Sequence, residues 1–148
     1  MVNRVILDLG CNIGASCFLA ARAGARSVLG IDKSPKIIST AIRLNTYFAL
    51  PCKFIVHDLN MPIRDIESAD TVFCFSIWQA IKNKSDLVKT ICMYTKQTLY
   101  FEGHADTNQD DYRYLLNKDN FSSIKLLGYM QDAVDIKKFS RPFFRCER

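Results

Sequence analysis

Several features that would narrow the class of a protein are missing from this 148-residue chain. No apolar run approaches the ~20 residues of a membrane span, and the longest candidate, residues 71–78, has the length of a strand. The amino terminus lacks the basic-then-apolar pattern of a signal peptide. With four prolines and six glycines, the chain has no linker-like or low-complexity stretch and no internal repeat. We therefore expect one cytoplasmic domain over residues 1–148, with no membrane association.

The six cysteines also lack the spacing of a disulfide or zinc framework. No two of them form a C-x-x-C pair, and the two histidines do not extend any such pair into a ligand set. Because disulfides are rare in reducing compartments, we predict six free thiols and no metal site.

Positive charge is concentrated at the end of the chain. A basic strip can follow nucleic-acid phosphates. However, the alternating residues 142–146 are typical of an edge or hairpin strand whose basic side chains face water. We favour the solvated strand and keep nucleic acid as an alternative partner. The basic strip is residues 136–148. It contains one acidic residue, Glu147, and five basic residues, Lys137, Lys138, Arg141, Arg145 and Arg148.

The most informative segment is VILDLGCNIG, residues 5–14. An apolar run ends in Asp-Leu-Gly, two glycines follow four residues apart, and an alanine-rich helical stretch comes next. A second apolar run ends on Asp32, roughly 20 residues further on, where an acid can accept hydrogen bonds from two ribose hydroxyls. Gly10 lets the backbone approach a ligand closely, and Gly14 starts the helix tight against the strand. This layout predicts a nucleotide-type ligand site at the carboxyl edge of a parallel sheet.

Motifs that are missing from the glycine loop reduce the number of ligand classes that it could bind. A dinucleotide fingerprint needs G-x-G-x-x-G, but Asn12 stands at its middle position. No Gly-Lys-Ser/Thr follows, so the loop is not a P-loop. Asp8, at the end of the strand, would repel a pyrophosphate but can accept a bond from an ammonium group. These features disfavour a nicotinamide dehydrogenase and favour an adenosine ligand with a cationic, unphosphorylated tail, such as S-adenosylmethionine.

With these motifs the chain resembles the class I S-adenosylmethionine-dependent methyltransferases over nearly its whole length. The family commonly has a third glycine where Asn12 stands, a mild departure because Asn also tolerates a left-handed backbone. The motifs that carry the resemblance are DLGCNIG (8–14), GID (30–32) followed by Ser34-Pro35, HDL (57–59) and DTVFCFS (70–76).

Apolar runs alternate with helical patterns, which predicts an α/β fold. We expect a three-layer sandwich around a doubly wound, mostly parallel, seven-stranded sheet whose last strand is antiparallel. The resemblance implies the strand order 3-2-1-4-5-7-6. Ser34 and Pro35 predict the start of the second helix. The predicted strands are 2–9, 27–31, 52–57, 70–75, 97–102, 121–129 and 141–146; the helices are 13–23, 35–49, 85–94 and 109–118, and 58–68 is a loop.

The glycine loop is expected to bind the methionine portion of the cofactor. Its backbone amides and carbonyls, from Gly10 through Cys11 and Asn12 to Gly14, would face that group. Asp8 would assist, directly or through water. An ordinary strand-to-helix turn is the alternative explanation of the two glycines.

The next two strand ends are expected to bind the nucleoside. Asp32 would hold the ribose, with Lys33 packed beside the adenine; an acid at a helix N-terminus is the alternative explanation of Asp32. The resemblance implies that Asp58 accepts a bond from the adenine amino group, with the Leu59 backbone nearby. A simple loop cap at Asn60 and Pro62 is the alternative for Asp58.

The acceptor side is less determined. Ser76 and Ile77 would line the methyl-transfer side, and Trp78 could shape an acceptor pocket or anchor the core. Methyl transfer is an in-line displacement, so positioning and exclusion of water supply most of the acceleration. A base is needed only if the acceptor must first lose a proton. Glu102 and His104 are the candidate bases, with a surface-loop role as the alternative for His104.

Motifs that are missing after strand four exclude some classes of methyl acceptor. Amino-directed nucleic-acid methyltransferases resemble one another in an Asp/Asn-Pro-Pro-aromatic motif after strand four, where this chain has Ser-Ile-Trp-Gln. The Pro-Cys nucleophile of a pyrimidine C5 enzyme is absent as well. We predict methyl transfer that leaves S-adenosylhomocysteine as product, to a small molecule in preference to a macromolecule.

The glycine loop begins only ten residues into the chain. Family members usually carry amino-terminal helices that close over the cofactor, and we expect these cap helices to be missing. A lid would then come from residues 60–68, residues 78–84, a partner chain, a second copy, or sequence outside this chain. This feature favours the alternative function, a non-catalytic scaffold or regulatory module that holds the cofactor or keeps only the fold.

Overall fold

A computed structural model describes residues 1–104, 117, 120–131 and 139–148. The predicted helix over residues 109–118 lies almost entirely outside this part of the chain. The strands are β1 (Val5–Leu9), β2 (Ser27–Asp32), β3 (Cys52–Val56), β4 (Ala69–Cys74), β5 (Thr95–Glu102), β6 (Ser123–Gln131) and β7 (Phe139–Glu147). The described helices are α1 (Ala15–Arg22), α2 (Pro35–Phe48) and α3 (Lys84–Tyr94), with a 3₁₀ turn at Trp78–Ala80.

The seven strands form one sheet in the order β3-β2-β1-β4-β5-β7-β6, which confirms the predicted topology. Strands β1 to β5 run parallel, while β7 is antiparallel to both β5 and β6. The central parallel strands read as continuous apolar runs because both of their faces are buried. Ligand-binding loops are therefore expected at their carboxyl ends, where the order reverses between β1 and β4.

Successive residues of β1 point into two different cores. Ile6 packs with Phe18 of α1 and Ile38 of α2 on one face of the sheet. Leu7 belongs to the core on the other face, together with Leu87 of α3. This alternation follows from the period of two along a strand, and it confirms the predicted three layers.

Local signals explain both ends of α2. The Ser34 hydroxyl accepts a hydrogen bond from the Ile37 N–H at 3.4 Å, and Pro35 is the first residue of α2, as predicted. The helix ends at Phe48, and the capping residue Ala49 that follows it has the left-handed φ of 53°. At the start of the chain, β1 begins at Val5 and not at residue 2, because Asn3 has a φ of 58°, which is incompatible with a strand.

The segment between β3 and β4 forms a loop without a helix, as predicted for residues 58–68. It leaves a groove of about 650 Å³ over the first residues of β1, β2 and β3, on the face that α3 shares. The groove lies at the amino ends of these strands, opposite the edge where ligands bind in such sheets.

All six cysteines carry free thiols, as predicted, and five of them are buried. Among the described residues, no helix is long and apolar enough to cross a membrane. In the same part of the chain, no three His, Cys, Asp or Glu side chains come together as metal ligands would.

Candidate functional site

A cleft lies where the carboxyl ends of β1, β2, β3 and β4 meet. It encloses about 150 Å³, which is less than the roughly 300 Å³ at which pockets for whole small-molecule ligands begin. It can therefore enclose only part of a nucleoside ligand, and the rest must lie along the open edge. Sequence reasoning predicted seven of its ten lining residues, and the other three are Asn60, Ala80 and Ile81. The predicted seven are Gly10, Asp32, Lys33, Asp58, Leu59, Ser76 and Ile77.

The glycine loop is held by backbone hydrogen bonds to the neighbouring strand. The N–H groups of Gly10 and Cys11 both donate to the Ile31 carbonyl, at 2.8 and 2.9 Å. Gly10 has a φ of +82°, and a Cβ placed on it would overlap the Cγ2 atom of Ile77. Asn12 has a left-handed φ of 51°, which shows why asparagine is accepted at this position.

Asp32 connects this loop to the end of β2. One carboxylate oxygen accepts a hydrogen bond from the Asn12 N–H at 3.1 Å, and the other accepts one from the Ser34 N–H at 3.0 Å. Each carboxylate oxygen can accept more than one bond, so the side chain keeps capacity toward the cleft that it lines.

Asp8 lies behind the loop and does not line the cleft. It is 1% exposed, and its Oδ2 accepts hydrogen bonds from the Ser16 hydroxyl and, at 3.2 Å, from the Cys17 thiol. Burial raises the pKa of Asp8 from 3.8 to about 6. Within the loop, Cys11 and Gly14, also predicted to bind cofactor, are buried, whereas Asn12 is exposed.

Asp58 is exposed at the end of β3 and forms a local turn with Asn60. Its Oδ1 accepts hydrogen bonds from the Asn60 backbone N–H at 3.0 Å and from the Asn60 amide Nδ2 at 2.8 Å. These two bonds are the largest cause of the lowered pKa of Asp58. Asn60 Oδ1 in turn accepts a bond from the Lys82 N–H at 2.8 Å. The D-x-N spacing of an Asx turn was the available signal for Asn60.

At the end of β4, Ser76 has a left-handed φ of 55° and takes part in a three-residue cluster. Its hydroxyl donates to Glu102 Oε1 at 2.8 Å and accepts from Arg141 Nη1 at 2.8 Å. Arg141 also pairs with Glu102 at 3.4 Å, and the two side chains are 12% and 13% exposed. The candidate base Glu102 is therefore bonded both to the segment that follows β4 and to β7.

The other two acceptor-side candidates have different surroundings. Gln79 Nε2 lies 2.7 Å from His104 Nδ1, beside the carboxyl end of β5. Trp78 is 4% exposed and packs edge-on against Phe101 at 5.7 Å, with the Lys84 ammonium 5.2 Å from its ring centre. The 3₁₀ turn points Trp78 into the core, where the sequence left a core anchor as the alternative. A place for Trp78 in an acceptor pocket stays a prediction.

The charges of the cleft suit one type of ligand. Two carboxylates, Asp32 and Asp58, line it against the single ammonium of Lys33. Carboxylates accept hydrogen bonds from hydroxyl and amino groups, but they repel phosphates. The residues present therefore fit an adenosine with a cationic tail, and S-adenosylmethionine has this chemistry.

The sheet order and the cleft define a class I, Rossmann-like methyltransferase fold. The structure of magnesium protoporphyrin IX methyltransferase from Synechocystis PCC 6803 with bound S-adenosylmethionine matches 99% of this chain and 71% of that chain, with a TM-score of 0.82 and 21% identity. A family model described as "Methyltransferase domain" matches residues 2–121. The chain belongs to this methyltransferase domain family, whose cofactor is S-adenosylmethionine.

Curated relatives match only a short segment. Protein arginine N-methyltransferase 1 of Dictyostelium discoideum is 50% identical over 32 residues, 22% of this chain and 9% of that protein. The tRNA U34 carboxymethyltransferase of Cellvibrio japonicus is 47% identical over 36 residues, 24% of this chain and 11% of that protein. The matched segment thus spans about a tenth of each relative's length.

Proposed function

We propose that this chain transfers the methyl group of S-adenosylmethionine to a small-molecule acceptor. The observation that carries the proposal is the pair of carboxylates, Asp32 and Asp58, at adjacent strand ends in one cleft beside the glycine loop. Asp32 would accept bonds from the ribose hydroxyls, and Asp58 from the adenine amino group. Gly10 would let the ligand lie against the backbone.

The cofactor supplies an electrophilic methyl group on a sulfonium, and the chain supplies position. An in-line displacement needs the acceptor held opposite the leaving sulfur with water excluded. Ser76 and Ile77 stand between the cleft and the ends of β5 and β7, where an acceptor would enter. We assign Glu102 a positioning role, because its carboxylate holds Ser76 and Arg141 in place.

The charge pattern favours a small molecule over nucleic acid. Two arginines of the basic strip already have carboxylate partners, Arg141 with Glu102 and Arg145 with Glu147. Such pairs reduce the positive field that would attract phosphates.

Free thiols at all six cysteines support a reducing compartment such as the cytoplasm.

Thermal unfolding with S-adenosylmethionine, S-adenosylhomocysteine and NAD tests the cofactor binding on which the proposal depends. A ligand at ~100 times its dissociation constant adds about 2.7 kcal/mol, which should raise Tm by roughly 5–10 °C in a domain of this size. We expect this shift with the two sulfur ligands only. Its absence with all three would contradict methyl transfer and leave a scaffold that keeps only the fold.

A matched pair of variants separates binding from stability. Asp32→Ala is expected to remove the ligand-induced shift. Asp70→Ala also removes a carboxylate that accepts a backbone bond, from the Val5 N–H at 2.8 Å, but at the amino end of the sheet. Asp70→Ala should lower Tm and keep the shift. Equal shifts in both variants would contradict the ribose assignment.

A further inference from the structure

Strand β3 forms one edge of the sheet, and its outer side carries backbone groups that can pair with another strand. The Val28 N–H donates to the Pro51 carbonyl at 2.9 Å, and alternate residues along β3 continue this ladder to β2. The residues between them, Phe54 and Val56, therefore direct their N–H and C=O groups away from the sheet. Within the described ranges, no strand pairs with this side of β3.

A groove lies along each face of this edge. On the face of α3 it is the groove of about 650 Å³ described above, whose apolar lining includes Leu29, Ile55 and Ile66. On the face of α2, a second groove of about 370 Å³ lies between that helix and β3. Successive side chains of a strand point to opposite faces. A segment added to β3 would therefore place alternate side chains in the two grooves.

Asn45 of α2 lines the second groove and contacts the edge directly. Its Nδ2 donates to the Cys52 carbonyl at 2.9 Å, while its Oδ1 is buried and has no partner in the described part of the chain. A buried acceptor without a partner costs free energy. A hydrogen-bond donor that entered this groove would remove that cost.

The helix and the strand that frame the second groove carry charge of one sign. They contain three exposed basic residues, Lys36, Arg43 and Lys53, and no acidic residue. None of the three forms a salt bridge with another described residue. The groove on the face of α3 is also lined by Asp65 and Glu67, so the excess of positive charge lies on the side of α2.

We propose that the outer edge of β3 binds an extended, acidic peptide segment of a partner protein, which adds a strand to the sheet. Backbone hydrogen bonds to Phe54 and Val56 would supply affinity, and alternate side chains in the two grooves would supply selectivity. The basic residues favour acidic side chains in the segment. They disfavour a second copy of this chain, because a lysine within an edge strand opposes pairing between like edges. This inference does not depend on methyl transfer.

Fluorescence anisotropy with a labelled acidic peptide, Glu-Val-Glu-Val-Glu-Val-Glu, tests the charge selectivity. The wild type should bind it at least about tenfold more tightly than the reversed peptide, Lys-Val-Lys-Val-Lys-Val-Lys. Lys53→Glu should lower this preference about tenfold. Lys125→Glu, the same change on the opposite edge strand β6, is the matched control and should keep it. Equal binding of the two peptides by the wild type, or no binding of the acidic one, would overturn the proposal.

A proline variant separates strand pairing from attraction between charges. Val56→Pro removes an outward N–H and leaves the ladder to β2 intact, whereas Val56→Thr keeps that N–H. Val56→Pro should weaken the acidic peptide about tenfold, and Val56→Thr should bind it as the wild type does. Equal binding by the two variants would show attraction between charges alone and overturn strand pairing.

Two further measurements keep this test decisive. If urea denaturation shows that Val56→Pro is unfolded, the wild type is compared with an acidic peptide N-methylated at alternate residues, which should bind about tenfold more weakly. Unchanged affinity of the methylated peptide would overturn strand pairing. A wild-type dimer in sedimentation velocity that Val56→Pro dissociates would show a second copy at this edge and overturn the peptide as its occupant.

Discussion

The Asp32 carboxylate accepts a hydrogen bond at 3.1 Å from the backbone N–H of Asn12, so the end of β2 holds the loop that follows β1. The same acid therefore shapes the loop and lines the cleft. Because the bond uses a backbone N–H, it survives any side chain at position 12 that tolerates the left-handed φ of 51°.

Substitutions at Asn12 should follow backbone conformation. The left-handed region costs about 1–2 kcal/mol for an ordinary L-residue, and less for Asn or Gly. Asn12→Ala should therefore lower the free energy of unfolding by about 1 kcal/mol, whereas Asn12→Gly should change it little. Urea denaturation measures both. A larger loss in the glycine variant would mean that the bond from Asn12 Oδ1 to the Ile13 N–H, at 2.7 Å, matters more than φ.

Gly10 and Gly24 form a natural comparison, since their φ values are +82° and +90°. Alanine at position 24 would meet nothing nearer than Val2 Cγ2 at 3.5 Å, so Gly24→Ala should show only the backbone cost, about 1–2 kcal/mol. Gly10→Ala adds an overlap with Ile77 and should lose about 1–3 kcal/mol more.

A double variant isolates the energy of the overlap between a Cβ at position 10 and Ile77. Adding Ile77→Ala to Gly10→Ala should recover the steric part of the loss and leave the backbone part. Chemical denaturation gives the free energy of unfolding of the wild type, Gly24→Ala, Gly10→Ala and the double variant. Equal losses in Gly10→Ala and Gly24→Ala would show that the contact between the loop and Ile77 carries no energy.

Asp8 should make stability depend on pH in an unusual direction for an acid. Its folded pKa of about 6 lies above the ordinary value of 3.8, so the folded protein binds this proton more tightly than the unfolded chain does. The resulting stabilisation is complete below about pH 4 and is lost as the pH rises through about 6. A shift of about two pKa units corresponds to roughly 3 kcal/mol.

The difference between wild type and Asp8→Asn isolates this contribution from that of other carboxylates. The wild type should lose up to about 3 kcal/mol relative to the variant between pH 4 and pH 7. Urea denaturation at several pH values gives the difference. A constant difference across this range would show that Asp8 titrates alike in both states.

The pair Arg141 and Glu102 should be energetically coupled. Both side chains are nearly buried, and both also bond to Ser76. A double-mutant cycle with Arg141→Ala and Glu102→Ala should give a coupling of about 1–3 kcal/mol. The control pair on the same strand, Arg145 and Glu147, is 49% and 32% exposed and should stay below about 1 kcal/mol. Similar couplings in both pairs would contradict the effect of burial.

The part of the cleft that is formed by residues close together in the sequence could be predicted. The spacing from Gly10 to Asp32 encodes a turn, a helix and a strand, and the parallel sheet brings both ends to one edge. The connection of Asn60 to Lys82 was not predictable, because it depends on how two irregular loops run past each other. The pairing of Glu102 with Arg141 likewise depends on the insertion of antiparallel β7 beside β5.

Trp78 shows a second limit of sequence reasoning. Its position after β4 is compatible with an acceptor wall, and its apolar ring is equally compatible with the core. Only the path of the 3₁₀ turn distinguishes these, and that path is stabilised by the Lys84 ammonium, which donates to the carbonyls of Trp78 and Ile81. Such a long-side-chain contact leaves no periodic signal.

All ten residues that line the cleft fall between positions 10 and 81, whereas Glu102 and Arg141 reach the same edge from strands that come later in the chain. The cleft and the cluster beside it are thus built from separate stretches of the sequence. We expect substitutions in β5 and β7 to alter the choice of acceptor in the proposed transfer while they leave the cleft between positions 10 and 81 intact.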